Sequence, residues 1–204
     1  MSQTVVVTGL AIVVGYLVGS IPSAFLVGRA VAAVDVRREG EGNVGARNVF
    51  HVVGARWGVV VFVADVVKGI VVVLAFSSVS AETVAVAATA ALVGHGYPVW
   101  LGFRGGKGLS TAGGATLALM PWAAGVGIAA AGIMWSISRR FLPTTVVLIV
   151  ATIAAAPLIG VGSWRVALVV WLFVLTGVKR MLDEPTMRAV EASTGWDRAR
   201  GMRS

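Results

Sequence analysis

Apolar stretches long enough to cross a lipid bilayer recur along the whole length of the 204-residue chain. About 20 consecutive apolar residues in a helix span the roughly 30 Å hydrocarbon core of a membrane. Hydrophobic residues make up 57% of the sequence and charged residues only 13%, which is too little polar sequence to cover a soluble core of this size. The sequence therefore predicts an all-α, polytopic helical membrane protein without an attached soluble domain.

The first apolar stretch, residues 5–18, has no basic segment before it and no small-residue cleavage site after it. It is therefore predicted to be a membrane span rather than a signal peptide. The connection at residues 77–83 has no basic residue, so the positive-inside rule places it outside and the polar loops that flank this helix pair in the cytoplasm. Further spans are predicted at residues 57–76, 84–101, 141–159 and 164–178.

The stretch at residues 109–137 allows two interpretations. One kinked helix would cross once and leave Arg139 and Arg140 outside. Two short helices broken at Pro121 would return both arginines to the cytoplasm, and charge bias favours this second alternative. We then expect about seven transmembrane helices, with a range of five to seven because residues 109–120 are short for a full crossing.

The chain carries 17 Lys and Arg against nine Asp and Glu, a formal charge of +8. Basic loops that stay on the cytoplasmic side and face anionic lipid account for this excess, and no nucleic-acid motif accompanies it. The lack of cysteine excludes disulfides, thiolate metal sites and a cysteine nucleophile, and the two histidines have no neighbouring ligands for zinc. We therefore expect no nucleic-acid partner, no metal and no cofactor.

The first motif that can carry chemistry follows the first span and reads Gly42-Asn-Val-Gly-Ala-Arg-Asn48. Glycines such as Gly42 and Gly45 let backbone N–H groups converge on an anion. Asn43 and Asn48 add amide donors, and Arg47 adds a fixed positive charge. Taken alone, a flexible loop built from turn residues explains the motif equally well.

The second motif is a glycine-rich basic turn that opens into a helix, Phe103-Arg-Gly-Gly-Lys-Gly-Leu-Ser-Thr111. The free N–H groups and the positive dipole end of a helix N-terminus form an anion site. Lys107 can reach a phosphate as a point charge, and Arg104 can grip one bidentately. The glycine spacing is not that of a Walker A motif. We favour phosphate binding over a topological charge cluster, because the two loops share one face.

Three further polar side chains lie within predicted spans. Asp65 and Lys68 are three residues apart on one helical face. Ionisable residues are expensive in lipid, so both should face the bundle interior, either as a structural ion pair or as part of the site. His95, near the end of the third span, is either an interfacial hydrogen-bonding residue or a base beside the two loops.

Together, these motifs resemble the bacterial acyl-phosphate:glycerol-3-phosphate acyltransferase family, PlsY, in order and spacing over about residues 15–114. The resemblance implies a seven-span, acyltransferase-like transmembrane domain at residues 1–180, in a bacterial inner membrane with its active site towards the cytoplasm. Residues 181–204 would follow as a cytoplasmic tail. The matching segments are Gly19-Ser-Ile-Pro22, Gly40-Glu-Gly-Asn-Val-Gly-Ala-Arg-Asn48, Asp65-Val-Val-Lys-Gly69, Gly94-His-Gly-Tyr-Pro-Val99 and Arg104-Gly-Gly-Lys-Gly108.

The resemblance implies transfer of a fatty acyl group from acyl phosphate to the 1-hydroxyl of glycerol 3-phosphate, or to a related phosphorylated acceptor. The product would be lysophosphatidic acid, for phospholipid biosynthesis in contact with membrane lipid. Lys107 would stabilise the leaving phosphate. The implied catalytic residues are Lys107, His95, Ser110 and Asn43, and the implied phosphate-binding residues are Gly42, Asn43, Gly45, Arg47, Asn48, Arg104, Gly105, Gly106, Lys107 and Gly108.

The chain departs from the family pattern at several positions. Glu41 stands where the family has serine, Arg47 where it has threonine, and His51 where it has arginine. A carboxylate beside a phosphate site is unfavourable unless Arg47 or another cation neutralises it. A serine of the family pattern falls near Pro143 of this chain, where Thr144 and Thr145 are the candidate substitutes. The family's C-terminal His and Asn have no counterpart in residues 178–182.

These departures leave other functions open. The acceptor could differ from glycerol 3-phosphate, or the chain could be a catalytically silent paralogue that binds phosphorylated lipid or a protein partner. A small-molecule transporter is a third hypothesis, which only the intramembrane Asp65 and Lys68 favour. The absence of repeated halves in the sequence counts against it.

Overall fold

The structure is a computed structural model that describes residues 3–197 and 202–203. It is helical almost throughout, as the sequence predicts. The helices of the described residues are α1 (Gln3–Ser20), α2 (Ser23–Ala32), α3 (Ala46–Val52), α4 (Ala55–Phe76), α5 (Ala81–Gly96), α6 (Leu109–Leu119), α7 (Pro121–Ser138), α8 (Phe141–Leu158) and α9 (Ser163–Thr194). A 3-10 turn (Val99–Leu101) follows α5, and the short strands β1 (Trp196–Asp197) and β2 (Met202–Arg203) pair antiparallel after α9.

Membrane-spanning segments account for most of these helices. The helix α6 has 11 residues, about half the thickness of the hydrocarbon core, and α9 is apolar and uncharged between Arg165 and Lys179. With these two segments the number of spans stays within the expected range of five to seven. Among the described residues, the five segments that are long and apolar enough to cross are Val5–Ala32, Ala55–Phe76, Ala81–Leu101, Pro121–Ser138 and Phe141–Leu158.

Helix α4 exposes apolar side chains and buries charged ones, the reverse of a surface helix in a soluble protein. Its exposed side chains are apolar: Val63 is 52% exposed and Leu74 is 57% exposed. Its charged side chains are buried instead, with Asp65 2% and Lys68 6% exposed. Charged residues of a membrane helix face the bundle interior because lipid cannot solvate them. This distribution confirms the prediction of a membrane span.

Helices α1 and α5 run parallel and are in close backbone contact. A Cβ atom added at Gly15 would clash with the carbonyl oxygen of Ala87, and one at Gly19 would clash with that of Ala91. Lipid provides no hydrophobic driving force between helices, so membrane helices associate largely through van der Waals packing. Small residues let the two backbones approach closely enough for that packing. Because the two helices are parallel, the segments that follow them lie at the same end of the bundle.

Helices α6 and α7 are separate, and the break lies at Pro121. Met120 leaves the helical conformation, with φ −150° and ψ 69°, and Pro121 begins α7, where a missing N–H leaves no helical hydrogen bond unmade. The connection from α7 to α8 returns to the end that holds the first polar loop, since the Arg47 guanidinium lies 5.1 Å from the ring centre of Phe141. The structure therefore agrees with the two-helix alternative for residues 109–137.

Helix α9 continues without a break across the start of the predicted tail. It has 32 residues and contains Pro185. Met187 is buried, and the side chain of Val190 lies against Gly42, so the last turns of α9 pack on the first polar loop. Of the predicted tail, residues 198–201 and 204 lie outside the described residues.

Candidate active site

Loop 1 (residues 33–48, which include the first turn of α3) is folded around the side chain of Asn48 at its end. Its buried amide nitrogen donates to the carbonyl oxygens of Val36, Glu39 and Asn43 at 2.7, 3.0 and 3.0 Å. Its oxygen accepts the N–H of Glu41 at 2.9 Å. Both ends of the amide are therefore engaged within the loop. The side-chain amide of Asn48, which was predicted to bind phosphate, is bonded to the backbone of this loop and fixes its conformation.

Loop 2 (residues 102–108) is pinned to the end of α5 by its glycines. The N–H groups of Gly105 and Gly106 donate to carbonyl oxygens of α5, both at 3.1 Å. A Cβ atom at Gly106 would clash with the imidazole of His95, so the close approach of the loop to this ring requires glycine. These two N–H groups are engaged within the protein rather than free for an anion. Gly108, the residue directly before α6, has φ +83°, a conformation that favours glycine.

A buried carboxylate joins the cations of the two loops. Glu41 is only 1% exposed, and its Oε1 lies 3.0 Å from Arg47 Nη1. Its Oε2 lies 3.8 Å from Lys107 Nζ. Burying an ionised carboxylate is tolerated only where cations compensate it. Arg47 therefore meets the condition set for a carboxylate at this position, and Lys107 is a second cation; Glu41, Arg47 and Lys107 form a charged triad.

The other predicted site residues of the two motifs belong to the same two loops or to the helices that follow them. Arg104 is exposed on loop 2, Ser110 is half-buried in the first turn of α6, and Asn43 is nearly buried in loop 1. Gly42 has φ +65°, and Gly45 directly precedes α3. The two motifs that are separate in the sequence therefore lie side by side at one end of the bundle.

A small polar cavity lies beneath the loops, at the break between α1 and α2. Lys68 Nζ donates to Asp65 Oδ1 at 2.7 Å and to the carbonyl oxygen of Ile21 at 2.5 Å. The cavity offers about 10 Å³ to the centre of a water molecule, close to the minimum for one water. The Asp65–Lys68 pair therefore ties α4 to the break after α1 and also lines the cavity. The polar side chains around the cavity are those of Ser20, Ser23, Asp65, Lys68 and His95.

His95 connects this cavity with loop 2. Its Nδ1 lies 3.3 Å from Thr111 Oγ1 and 3.8 Å from Asp65 Oδ1. The Nε2 side of the ring faces Gly106. The hydroxyl and the carboxylate thus hold one edge of the imidazole, while the other edge faces the glycine-rich loop. This position suits a group that exchanges a proton with a ligand held by loop 2.

Lys179 also lies in this cluster, although the sequence did not indicate it as a site residue. It is buried, pairs with Asp183 one turn later in α9, and places Nζ 4.8 Å from the ring centre of Tyr97. The sequence shows Lys179 only as part of an i,i+4 Lys–Asp pair at the end of an apolar helix. Such pairs are typical of solvent-exposed helix surfaces, so the pattern did not indicate a site. Lys179 nevertheless brings a cation to the end of α5.

The remaining departures from the family pattern lie beside the site. His51 packs edge-on against Trp196. Burial, together with the charge of Arg47, lowers the pKa of His51 below its ordinary value, so the ring is neutral at pH 7. The hydroxyls of Thr144 and Thr145 donate to carbonyl oxygens one turn earlier, as hydroxyls commonly do in membrane helices.

This helical bundle, with apolar faces outward and buried charges within, defines an integral membrane protein. The family model of glycerol-3-phosphate acyltransferases matches residues 9–183. A glycerol-3-phosphate acyltransferase of Anaeromyxobacter sp. (strain Fw109-5) is 46% identical over 146 residues, which cover 68% of this chain and 71% of that protein. The chain belongs to the glycerol-3-phosphate acyltransferase family.

Two solved structures have the same fold. Both are crystal structures of PlsY (YgiH), an integral membrane glycerol 3-phosphate acyltransferase, and each match covers 89% of this chain and 92% of the other. The glycerol 3-phosphate form gives a TM-score of 0.77 at 25% identity. The lysophosphatidic acid form gives a TM-score of 0.76 at 24% identity. The resemblance to the PlsY family that the sequence motifs indicated is therefore confirmed.

Proposed function

We propose that this chain transfers a fatty acyl group from acyl phosphate to the 1-hydroxyl of glycerol 3-phosphate, giving lysophosphatidic acid. One observation carries the proposal for the site: Arg47 and Lys107, from two separate loops, meet at the end of a membrane bundle whose family relatives are glycerol-3-phosphate acyltransferases. Both substrates carry phosphate, and Arg104 adds a third, exposed cation beside them. Cations positioned in this way bind phosphate and stabilise its departure.

In the proposed reaction, the hydroxyl oxygen of glycerol 3-phosphate attacks the acyl carbonyl carbon. The ester bond forms while the bond from that carbon to the phosphate oxygen breaks, and inorganic phosphate leaves. Lys107 neutralises the charge that develops on the departing phosphate, and His95 accepts the hydroxyl proton. Acyl phosphate is already activated, so positioning of the two substrates supplies much of the catalysis and no covalent intermediate is needed.

The proposal places the site at the cytoplasmic face of a bacterial inner membrane. The connections at the opposite end of the bundle, residues 77–80 and 159–162, contain no basic residue. Under the positive-inside rule, the end that carries the basic residues faces the cytoplasm. Soluble glycerol 3-phosphate then reaches the site from water, while the acyl chain stays in lipid. The basic residues at that end include Arg29, Arg37, Arg38, Arg47, Arg56, Arg104, Lys107, Arg139, Arg140, Lys179, Arg180 and Arg188, whereas Arg165, in the first turn of α9, lies at the opposite end.

A direct assay tests this function. Purified protein in lipid nanodiscs, incubated with palmitoyl phosphate and labelled glycerol 3-phosphate, is expected to form labelled lysophosphatidic acid and to release phosphate in equal amounts. Palmitoyl-coenzyme A in place of palmitoyl phosphate is the matched control for the donor. A folded protein that forms product only from the thioester would contradict the acyl phosphate donor. If no donor gives product with any phosphorylated acceptor, the catalytic proposal fails.

A catalytically silent, phosphate-binding role has one observation in its favour, since the Glu41 carboxylate already lies against both loop cations. This role predicts no product in that assay, together with saturable binding of labelled glycerol 3-phosphate to the same nanodiscs. The transporter hypothesis gains no comparable support. The Asp65–Lys68 pair is satisfied by the carbonyl of Ile21, and the cavity that it lines has room for about one water molecule.

Replacing Lys179 with methionine is expected to lower kcat/KM for glycerol 3-phosphate about tenfold, because the buried cation beside Tyr97 and His95 is lost. Lys179→Arg keeps the charge and is expected to retain most of the activity. Arg180→Met, a loss of the same charge at the adjacent position, is the control. Steady-state kinetics in nanodiscs measure the effect. Equal kinetics for Lys179→Met and wild type would show that Lys179 takes no part in the reaction.

A further inference from the structure

The carboxylate of Glu41 holds the position between the two loops that an anionic ligand of the site would need. Its two oxygens face one cation from loop 1 and one from loop 2, Arg47 and Lys107. The side chain is almost fully buried, so these cations, rather than water, stabilise its charge. In this protein the cations of the two loops are therefore bridged by the carboxylate of Glu41, a group of the chain itself.

We propose that Glu41 is an internal competitor of the substrate phosphate, which holds the loop cations in the unliganded protein and sets a weak affinity for phosphate. The proposal rests on the proposed function, in which Lys107 meets a phosphate group of the substrates. Glu41 is thus a specificity-determining residue of this chain, at a position where the resembling family pattern has serine. The competition follows from charge and geometry.

The charges of the triad set the direction of the effect. Arg47 and Lys107 against Glu41 leave one net positive charge. A phosphate dianion added to the triad brings the net charge to minus one, whereas a neutral side chain at position 41 would give zero. A like charge within a few ångströms disfavours an anion. Either the carboxylate leaves a cation when phosphate binds, or phosphate binds against this repulsion, and both raise the Kd for phosphate.

The two distances indicate which cation is exchanged. Arg47 Nη1 lies 3.0 Å from Glu41 Oε1, an ion pair without hydrogen-bond geometry, while Lys107 Nζ lies farther away, 3.8 Å from Oε2. Arg47 also packs over the ring of Phe141, which restrains the guanidinium further. Glu41 therefore keeps Arg47 as its partner and yields Lys107 to the phosphate. This division assigns Arg47 to holding the carboxylate and Lys107 to binding the ligand.

Phosphate binding to the purified protein in nanodiscs, without any acyl donor, tests the proposal. The Kd of inorganic phosphate, measured by calorimetry, is expected to fall about tenfold in Glu41→Gln. The KM for glycerol 3-phosphate is expected to fall by a similar factor. Glu82→Gln, which removes the same charge from an exposed position at the other end of α5, is the control and is expected to leave both constants unchanged. An unchanged or higher Kd in a folded Glu41→Gln protein overturns the proposal.

A second variant keeps the test decisive if Glu41→Gln does not fold. Glu41→Ser removes the carboxylate with a smaller side chain, and phosphate is expected to raise its Tm by more than it raises that of the wild type. If neither variant folds with or without phosphate, the role of Glu41 is to hold the loops together and the proposal fails. The binding measurement is independent of turnover. Absence of lysophosphatidic acid from the wild type would reject the proposed function while tighter phosphate binding by Glu41→Gln still upheld competition.

Discussion

Lys107→Ala is expected to lower kcat/KM for acyl transfer about a thousandfold. Lys107 is the loop cation that Glu41 holds only at 3.8 Å, so it is the one that can turn to the departing phosphate. Removing one donor that stabilises charge in a transition state costs about 100- to 1000-fold in kcat. Loss of ground-state binding to the phosphate adds to this. Initial rates of phosphate release over a range of palmitoyl phosphate concentrations, at saturating glycerol 3-phosphate, give both kcat and kcat/KM.

Two control variants separate this role from a general loss of charge. Arg38→Ala removes an exposed cation from loop 1, at the same end of the bundle, and is expected to stay within a factor of about two of wild type. Lys107→Arg keeps the positive charge but carries it on a planar guanidinium instead of an ammonium, and it is expected to recover part of the rate. A folded Lys107→Ala protein that retained more than a tenth of wild-type kcat would exclude Lys107 as the stabiliser of the leaving group.

The membrane topology could be derived from the sequence because its signals are local. Apolar length gives the spans, and Pro121 gives the break between α6 and α7, since proline fits the first turn of a helix better than its interior. The continuation of α9 to Thr194 was harder to derive, because charge and Pro185 in this stretch are typical of a tail. The i,i+4 pairs Lys179–Asp183 and Glu184–Arg188 support the helix across the membrane boundary.

The candidate site could be derived only in part, because a sequence gives residue types and not the partners of their polar atoms. Both loops were found from glycine and cation content, and the structure brings them together. The engagement of the Asn48 amide and of the Gly105 and Gly106 N–H groups within the protein depends on contacts between distant segments. Lys179 is close to Tyr97 only because α5 and α9 meet, and no spacing rule contains that contact.

Lys68→Met is expected to lower the free energy of unfolding by about 3–5 kcal/mol, the usual effect of removing one partner of a buried ion pair. Asp65 stays buried at 2% exposure and loses the ammonium that lies 2.7 Å away, and the carbonyl of Ile21 loses its donor. Methionine nearly matches the length of lysine, so packing changes little. Thermal unfolding in nanodiscs measures the loss. A Lys68→Met protein as stable as wild type would show that the pair contributes nothing to folding.

The double variant Asp65→Asn/Lys68→Met separates the two explanations of this pair. It leaves no uncompensated charge in the bundle, so most of the lost stability is expected to return. Its kcat is nevertheless expected to stay about tenfold below wild type, because Asp65 Oδ1 lies 3.8 Å from His95 Nδ1 and no longer carries the charge that stabilises a protonated ring. The KM for glycerol 3-phosphate should be unchanged, since neither residue belongs to the loops. Recovery of stability and kcat together would instead make the pair purely structural, with His95 acting without Asp65.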